Sequence, residues 1–160
     1  MEKGNNAEEL VFKWLNETNK EVRDLRDHKY FQYLDVDFEA TTHDGIHKFI
    51  EVKSDEHIKE EANFFVECFR INHDSTNNWF KTGWTWKSPA HEFIVHNPIT
   101  VQTFSFNVVK LRKMTAKFVG ENQSTIRVIT IQTDTSKTTF GMLVPLEKLI
   151  GSYKIIKLIK

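Results

Sequence analysis

The 160-residue chain has one cysteine, Cys68, which leaves no internal disulfide and no cysteine-anchored zinc site. Its opening, Met1-Glu2-Lys3-Gly4-Asn5-Asn6, lacks the apolar core of a secretory leader, so a reducing cytoplasm is the expected compartment. No apolar run is long enough for a bilayer-spanning helix, because the C-terminal stretch Ile155-Ile156-Lys157-Leu158-Ile159 is short and broken by Lys157. No membrane partner is expected. Excess charge is missing as well: 22 basic residues balance 22 acidic ones, so any surface that binds a polyanion must be local. The chain has no glycine-rich phosphate loop, which excludes a built-in ATPase motor. Ser88 lacks a Gly-x-Ser-x-Gly setting, and the seven histidines lack zinc spacing.

What is present is enough for one domain spanning residues 1–160: 39% hydrophobic content, with thirteen Phe and four Trp as large core anchors. Asn5 and Asn6 suit the cap of a first helix over Ala7 to Glu17, whose Leu10, Val11, Trp14 and Leu15 recur at helical spacing. Glu8 shares the inward side with Val11 and Leu15, whereas Glu9 falls on a flank with Phe12, Lys13 and Asn16. A carboxylate in line with an apolar stripe needs a partner such as a metal, a lysine or a capping amide. A solvated first-turn Glu is the alternative.

From Leu34 to Ala40 apolar residues alternate with Asp35, Asp37 and Glu39, the pattern of a strand with a carboxylate stripe. Thr42-His43-Asp44-Gly45 then supplies hairpin chemistry, and a second strand follows from Ile46 to about Ser54. On it His47, Phe49, Glu51 and Lys53 share one side. Further strands are expected at Ala62 to Ile71, Glu92 to His96, Ile126 to Ile131 and Thr138 to Val144. Asn72 to Thr82 reads as polar loop, Asn107 to Lys117 as a helix with a basic face, and Pro145 as the start of a last helical turn.

Phosphodiester hydrolysis needs an activated water, charge stabilisation on the phosphoryl oxygens and help for the leaving alkoxide. Mg²⁺ serves all three and takes only one or two protein carboxylates, a demand that Asp37 and Glu51 on paired strands meet. Lys53, two residues past Glu51 on the same face, reaches the attacking water or the phosphate.

Glu51 follows Asp37 by 14 positions and opens Glu51-Val52-Lys53 on an apolar strand, after a helix that carries Glu8. This order resembles the PD-(D/E)XK nuclease superfamily. The run Lys3-Gly4-Asn5-Asn6-Ala7-Glu8 is similar to the first helix of its archaeal Holliday-junction resolvases. Asp35-Val36-Asp37-Phe38, Glu51-Val52-Lys53-Ser54-Asp55, Asn63-Phe64-Phe65-Val66-Glu67, Gly83-Trp84 with Ser88-x-Ala90, and Gly141-Met142-Leu143-Val144-Pro145-Leu146 look like a phage and bacterial branch of endonucleases. In that branch an Asp is expected where His91 stands.

The resemblance implies an α/β fold, restriction-endonuclease-like, with a central mixed sheet flanked by the first helix and a later one. It implies a divalent-metal-dependent endonuclease acting on DNA, with Mg²⁺ or Mn²⁺ held by Glu8, Asp37 and Glu51 and with Lys53 catalytic. Products would carry 3′-hydroxyl and 5′-phosphate ends. Gln32 would sit at the edge of the site. Apart from the resemblance, the basic run Lys110, Arg112, Lys113 and Lys117 reads either as a set of nucleic-acid phosphate contacts or as a merely solvated helix face. Asp35 competes with Asp37 for the ion, and Asp37 is preferred for its Asp-Phe pattern and its spacing to Glu51. Trp79, Trp84 and Trp86, beside Lys81 and Lys87, read either as a lid over the sheet or as a stacking surface for bases. A homodimer is compatible with all of this. Two rival readings remain at this stage: a non-catalytic nucleic-acid-binding module on the same fold, and an inhibitor-like protein that docks through its tryptophans.

Overall fold

The apolar stripe of the first helix decides how the sheet is covered. In the computed structural model, which describes residues 2–60, 62–73, 78–122, 128–134 and 137–158, helix α1 (Glu2–Thr18) buries Ala7, Val11 and Leu15 against Phe38, Ala40, Ile50, Val52 and Ile94. Each fully buried aliphatic side chain of this kind contributes about 1.5–3 kcal/mol. The helix starts earlier than its capping signals suggest, so Asn5 and Asn6 lie inside it and do not cap it.

Strand β1 (Glu21–Asp24), the short helix α2 (Lys29–Tyr33), and strands β2 (Phe38–Thr41) and β3 (His47–Ser54) follow. β2 and β3 form the expected antiparallel hairpin, with Phe38 opposite Ile50 and Thr41 opposite His47. Gly45 takes φ 84° in the turn, a conformation that glycine adopts without steric cost. The strand expected from Leu34 begins only at Phe38. Leu34 closes α2, and Asp35 stands in the left-handed region at φ 54°, so the alternating pattern continues through a turn.

The main sheet runs β1-β2-β3-β6-β7-β10, with β6 (Glu92–His96), β7 (Thr103–Asn107) and β10 (Tyr153–Ile156). β3 pairs with β6 in parallel and the other neighbours are antiparallel, which makes the sheet mixed. On the face opposite α1, Phe93, Val95, Phe104 and Phe106 form a second core with Val108 and Leu111 of helix α4 (Val108–Glu121). Asn107 caps α4 by accepting from the Lys110 amide at 3.0 Å, so the helix expected from that residue is present. The expected α/β architecture, a mixed sheet between a first helix and a later one, is therefore the architecture observed.

A second, four-stranded sheet was not anticipated. It has the order β5-β4-β9-β8, with β4 (Asn63–His73), β5 (Asn78–Thr82), β8 (Val128–Asp134) and β9 (Lys137–Pro145). β5 lies in the segment read as loop, whose polar composition hides a strand held by its pairing with β4. Residues 126 and 127, expected in β8, lie outside the described residues, as do the side chains of Trp79 and Lys81. The turn after Pro145 is a 3₁₀ helix (Leu146–Leu149). No described helix is long and apolar enough to cross a membrane.

The short helix α3 (Trp84–Lys87) closes over β4 through Gly83, whose amide donates to the Cys68 carbonyl at 2.9 Å. A Cβ at Gly83 would stand 2.2 Å from the Glu67 carbonyl oxygen, a backbone atom that cannot swing aside. Gly83→Ala is therefore expected to destabilise the fold by about 1–3 kcal/mol through overpacking, read as a lowered urea midpoint with an unchanged slope.

Candidate active site

Ahead of Phe38 the chain is not yet paired as a strand with β3, and this gap builds the site. The Asp37 amide still donates to the Ile50 carbonyl at 2.9 Å, but the Val52 amide, one step further along β3, is taken by the Asp37 carboxylate at 2.7 Å. A side chain thus completes the edge of β3 where β2 has not yet begun. It also places the Asp37 carboxyl in the cleft that Glu51 lines. Strand alternation sends Ile50 and Val52 into the α1 core and leaves Glu51 and Lys53 on the opposite side. Lys53 forms an ion pair with Glu51 Oε1, while Glu51 Oε2 is buried with no hydrogen-bond partner among the described residues. Such an orphaned carboxylate oxygen is costly unless a cation or proton meets it.

One cleft of about 580 Å³ is lined by Glu8, Gln32, Asp35, Asp37, Glu51 and Lys53, with Glu9, Asp24, Arg26 and Asp27 on its rim. The residues singled out from sequence for metal and catalysis thus share a single concavity. Glu8 is the more inward of the two helical acids, its side chain 26% exposed against 52% for Glu9. Gln32 is exposed and donates to the Arg26 carbonyl, at the margin of the cleft.

Burial pushes the Glu51 carboxyl up to about 8, with Asp37 and Asp35 adding to the rise and Lys53 opposing it. Asp37 is raised by burial against the pull of the Val52 amide and Lys53. Glu8 is raised by burial and by Asp37, opposed by Arg26. Burial works against the Lys53 ammonium, but Glu51, Asp37 and Asp35 outweigh it and raise its pKa. All three acids are raised first by burial, which disfavours their charged forms.

Asp35 and Asp37 do not share a strand face, which corrects the sequence expectation. The left-handed turn directs the Asp35 carboxylate to Lys87 Nζ at 3.1 Å, and Ser88 Oγ holds the Asp35 carbonyl at 2.7 Å. Asp35 lines the cleft, but Asp37 is the aspartate that meets Glu51 and the β3 edge. Sequence reasoning missed Arg26. Its guanidinium pairs with Asp24 at 2.5 Å, Glu9 at 2.7 Å and Glu8 at 3.6 Å, and lies 5.1 Å from the Phe38 ring centroid. No local pattern announces it, because its acidic partners come from α1 as well as from its own turn.

The four basic residues of α4 divide. Lys110, Lys113 and Lys117 are exposed, whereas Arg112 turns inward and donates to the carbonyls of Thr85 at 2.7 Å and Ser88 at 2.6 Å. Residues 110, 113 and 117 fall within about 60° on a helical wheel and residue 112 lies across from them. Arg112 fixes α3, so the expected continuous four-residue basic face is not what the helix presents. Trp84 and Trp86 pack partly buried against the second core, Trp84 edge-to-face with Phe93 at 4.8 Å. His91 accepts from the Phe49 amide at 3.0 Å and extends the β3–β6 pairing.

Among the described residues no three acidic, histidine or cysteine side chains already stand in cation-holding geometry. Two carboxyls that line one cleft, one of them with a buried oxygen that no described residue hydrogen-bonds, fit a hard cation that takes two carboxylates and fills its remaining positions with water.

No protein-family model and no curated protein matches the chain. Among solved structures it is similar to a bacterial homing endonuclease, at 16% identity and a TM-score of 0.49, over 66% of this chain and 67% of that one.

Proposed function

We propose that the protein is a divalent-metal-dependent nuclease of PD-(D/E)XK type that hydrolyses phosphodiester bonds in DNA. The observation that carries this reading is the meeting of Asp37, Glu51 and Lys53 in one cleft, with a buried Glu51 oxygen that no described residue hydrogen-bonds. A scaffold or docking protein gains nothing from such a group, since burying it costs stability.

Asp37 and Glu51 would hold Mg²⁺ or Mn²⁺, which when bound supplies charge stabilisation on the phosphoryl oxygens and lowers the pKa of water. Glu8 lines the same cleft but forms no three-ligand group with them among the described residues, so in place of the direct metal contact expected from sequence it would act through water. Lys53 stays cationic and anchored by Glu51, so its ammonium holds a phosphoryl oxygen or the attacking water in fixed orientation. Water adds to phosphorus, the bridging P–O bond breaks, and the departing alkoxide takes up a proton. The exposed Lys110, Lys113 and Lys117 are available for phosphates elsewhere on the duplex.

The test is cleavage of linear, circular, branched and single-stranded DNA with Mg²⁺, with Mn²⁺ and with EDTA. Product with either metal and none in EDTA is expected, and no product on any substrate would end the reading. Within it, Glu8→Gln is expected to lower cleavage by about 10- to 100-fold, the range for groups acting one layer outside a metal, with Glu9→Gln near wild type. Equal losses would mean that both acids serve only to hold Arg26.

A further inference from the structure

A second cavity, of about 520 Å³, shares Lys53 with the carboxylate cleft but differs from it in chemistry. Its walls are largely apolar, with Phe65, Trp84, Ile129 and Leu143 prominent, and Asn63 and His57 add polar groups. Phe65 pairs with Leu143 across the β4–β9 ladder, and Ile129 pairs with Gly141 on the other side of β9. Gly141 has no side chain because the Phe65 ring lies over it: a Cβ there would stand 2.4 Å from Phe65 Cζ. The aromatic wall is therefore held in place by the sheet. Leu143 remains 41% exposed. Lys53 Nζ lies 5.6 Å from the Trp84 ring centroid, so the charged end of one site and an aromatic wall of the next are within the span of a single nucleotide.

We propose that this cavity receives an unpaired nucleobase of the DNA strand whose phosphodiester lies at Lys53. The inference rests on the nuclease reading above and deepens it by naming the substrate class. A molecule that places a phosphate at Lys53 extends its adjoining group into this cavity, and rigid aromatic walls take the flat face of a base at about 1–3 kcal/mol per stacked base. Asn63 and His57 offer donors and acceptors to its edge. A base within a duplex presents no free face, so the occupant is unpaired already or extruded at a cost of a few kcal/mol. The enzyme therefore favours single strands, flaps and bulges over continuous duplex.

Three DNAs of one sequence test this: a perfect duplex, the same duplex with a single 2-aminopurine bulge, and the same with an abasic bulge. Binding is read by anisotropy in EDTA and cleavage in Mg²⁺, using the full chain. We expect the 2-aminopurine bulge to bind about 10-fold more tightly than either other DNA, the gain of roughly one stacked base, with its fluorescence quenched. Leu143→Trp, which fills the cavity from an exposed position, should bring the bulge and abasic DNAs to equal affinity. The abasic comparison needs no variant, so it decides even if Leu143→Trp fails to fold. Cleavage of all three DNAs with no preference for the base-bearing bulge overturns the base pocket and leaves the nuclease reading standing. Quenching and tighter binding without cleavage overturns the nuclease reading and keeps the pocket.

Discussion

Glu51→Gln is expected to lower DNA cleavage by about two to three orders of magnitude, while making the metal-free protein more stable at alkaline pH. Both effects come from one carboxyl. Burial holds Glu51 at about 8 in the folded chain against an ordinary 4.5. Between these values the folded state binds a proton that the unfolded state has released. The stability from that proton is fully present below pH 4.5 and is lost as pH rises through 8, a swing on the order of a few kcal/mol. Glutamine keeps the shape and needs no proton, so in EDTA the variant should melt above wild type at pH 8.5 and level with it near pH 4.5. Lys53 is not stranded by the change, because its side chain is 35% exposed and Asp37 remains nearby. Added Mg²⁺ or Mn²⁺ should raise the melting temperature of wild type and not of the variant. Asp37→Asn should lose comparable activity, its amide oxygen still able to accept from Val52. A Glu51→Gln protein that melts below wild type at pH 8.5 would show that the buried carboxylate is already satisfied, and would remove the case for a cation there.

Lys53→Met should remove cleavage to a similar depth and leave metal binding intact, which separates its role from that of the acids. Methionine retains an apolar stem beside Trp84 without the ammonium, so the packing of α3 and β3 is preserved. Loss of the nearby positive charge leaves the carboxylates more attractive to a cation, so Mn²⁺ affinity by calorimetry should be unchanged or modestly improved. Glu51→Gln should weaken it. The reverse order would place the cation elsewhere or exchange the two roles. Thermal melts of Lys53→Met against wild type confirm that any lost activity is chemical.

Much of the site could be read from sequence because its spacing is local. Glu51 and Lys53 share a side by strand alternation, Asp44-Gly45 folds their strand back onto the one after Asp37, and helical phase turns Glu8 inward of Glu9. The same alternation misled at Leu34 to Val36, where a period of two fits a helix end and a left-handed turn equally well. The residues that hold that turn, Lys87 and Ser88, lie more than fifty positions away. Arg112 looked like one more charge on a basic helix until the carbonyls of α3 claimed it. β5 and β10 have too little pattern of their own, and each exists through its partner strand.

Local patterning is enough to group the acid-bearing helix, the hairpin, and the strand that presents an acid and a lysine on one face. Backbone periods of 3.6 and 2 act over a few residues and need no tertiary partner. Long-range packing is what sets Asp37 rather than Asp35 against the β3 edge beside Glu51, brings Arg26 to the cleft, and buries Glu51 deeply enough to hold a proton near neutral pH. Desolvation and Coulomb attraction depend on what stands within a few ångströms of a charge, and those neighbours come from segments far apart along the chain.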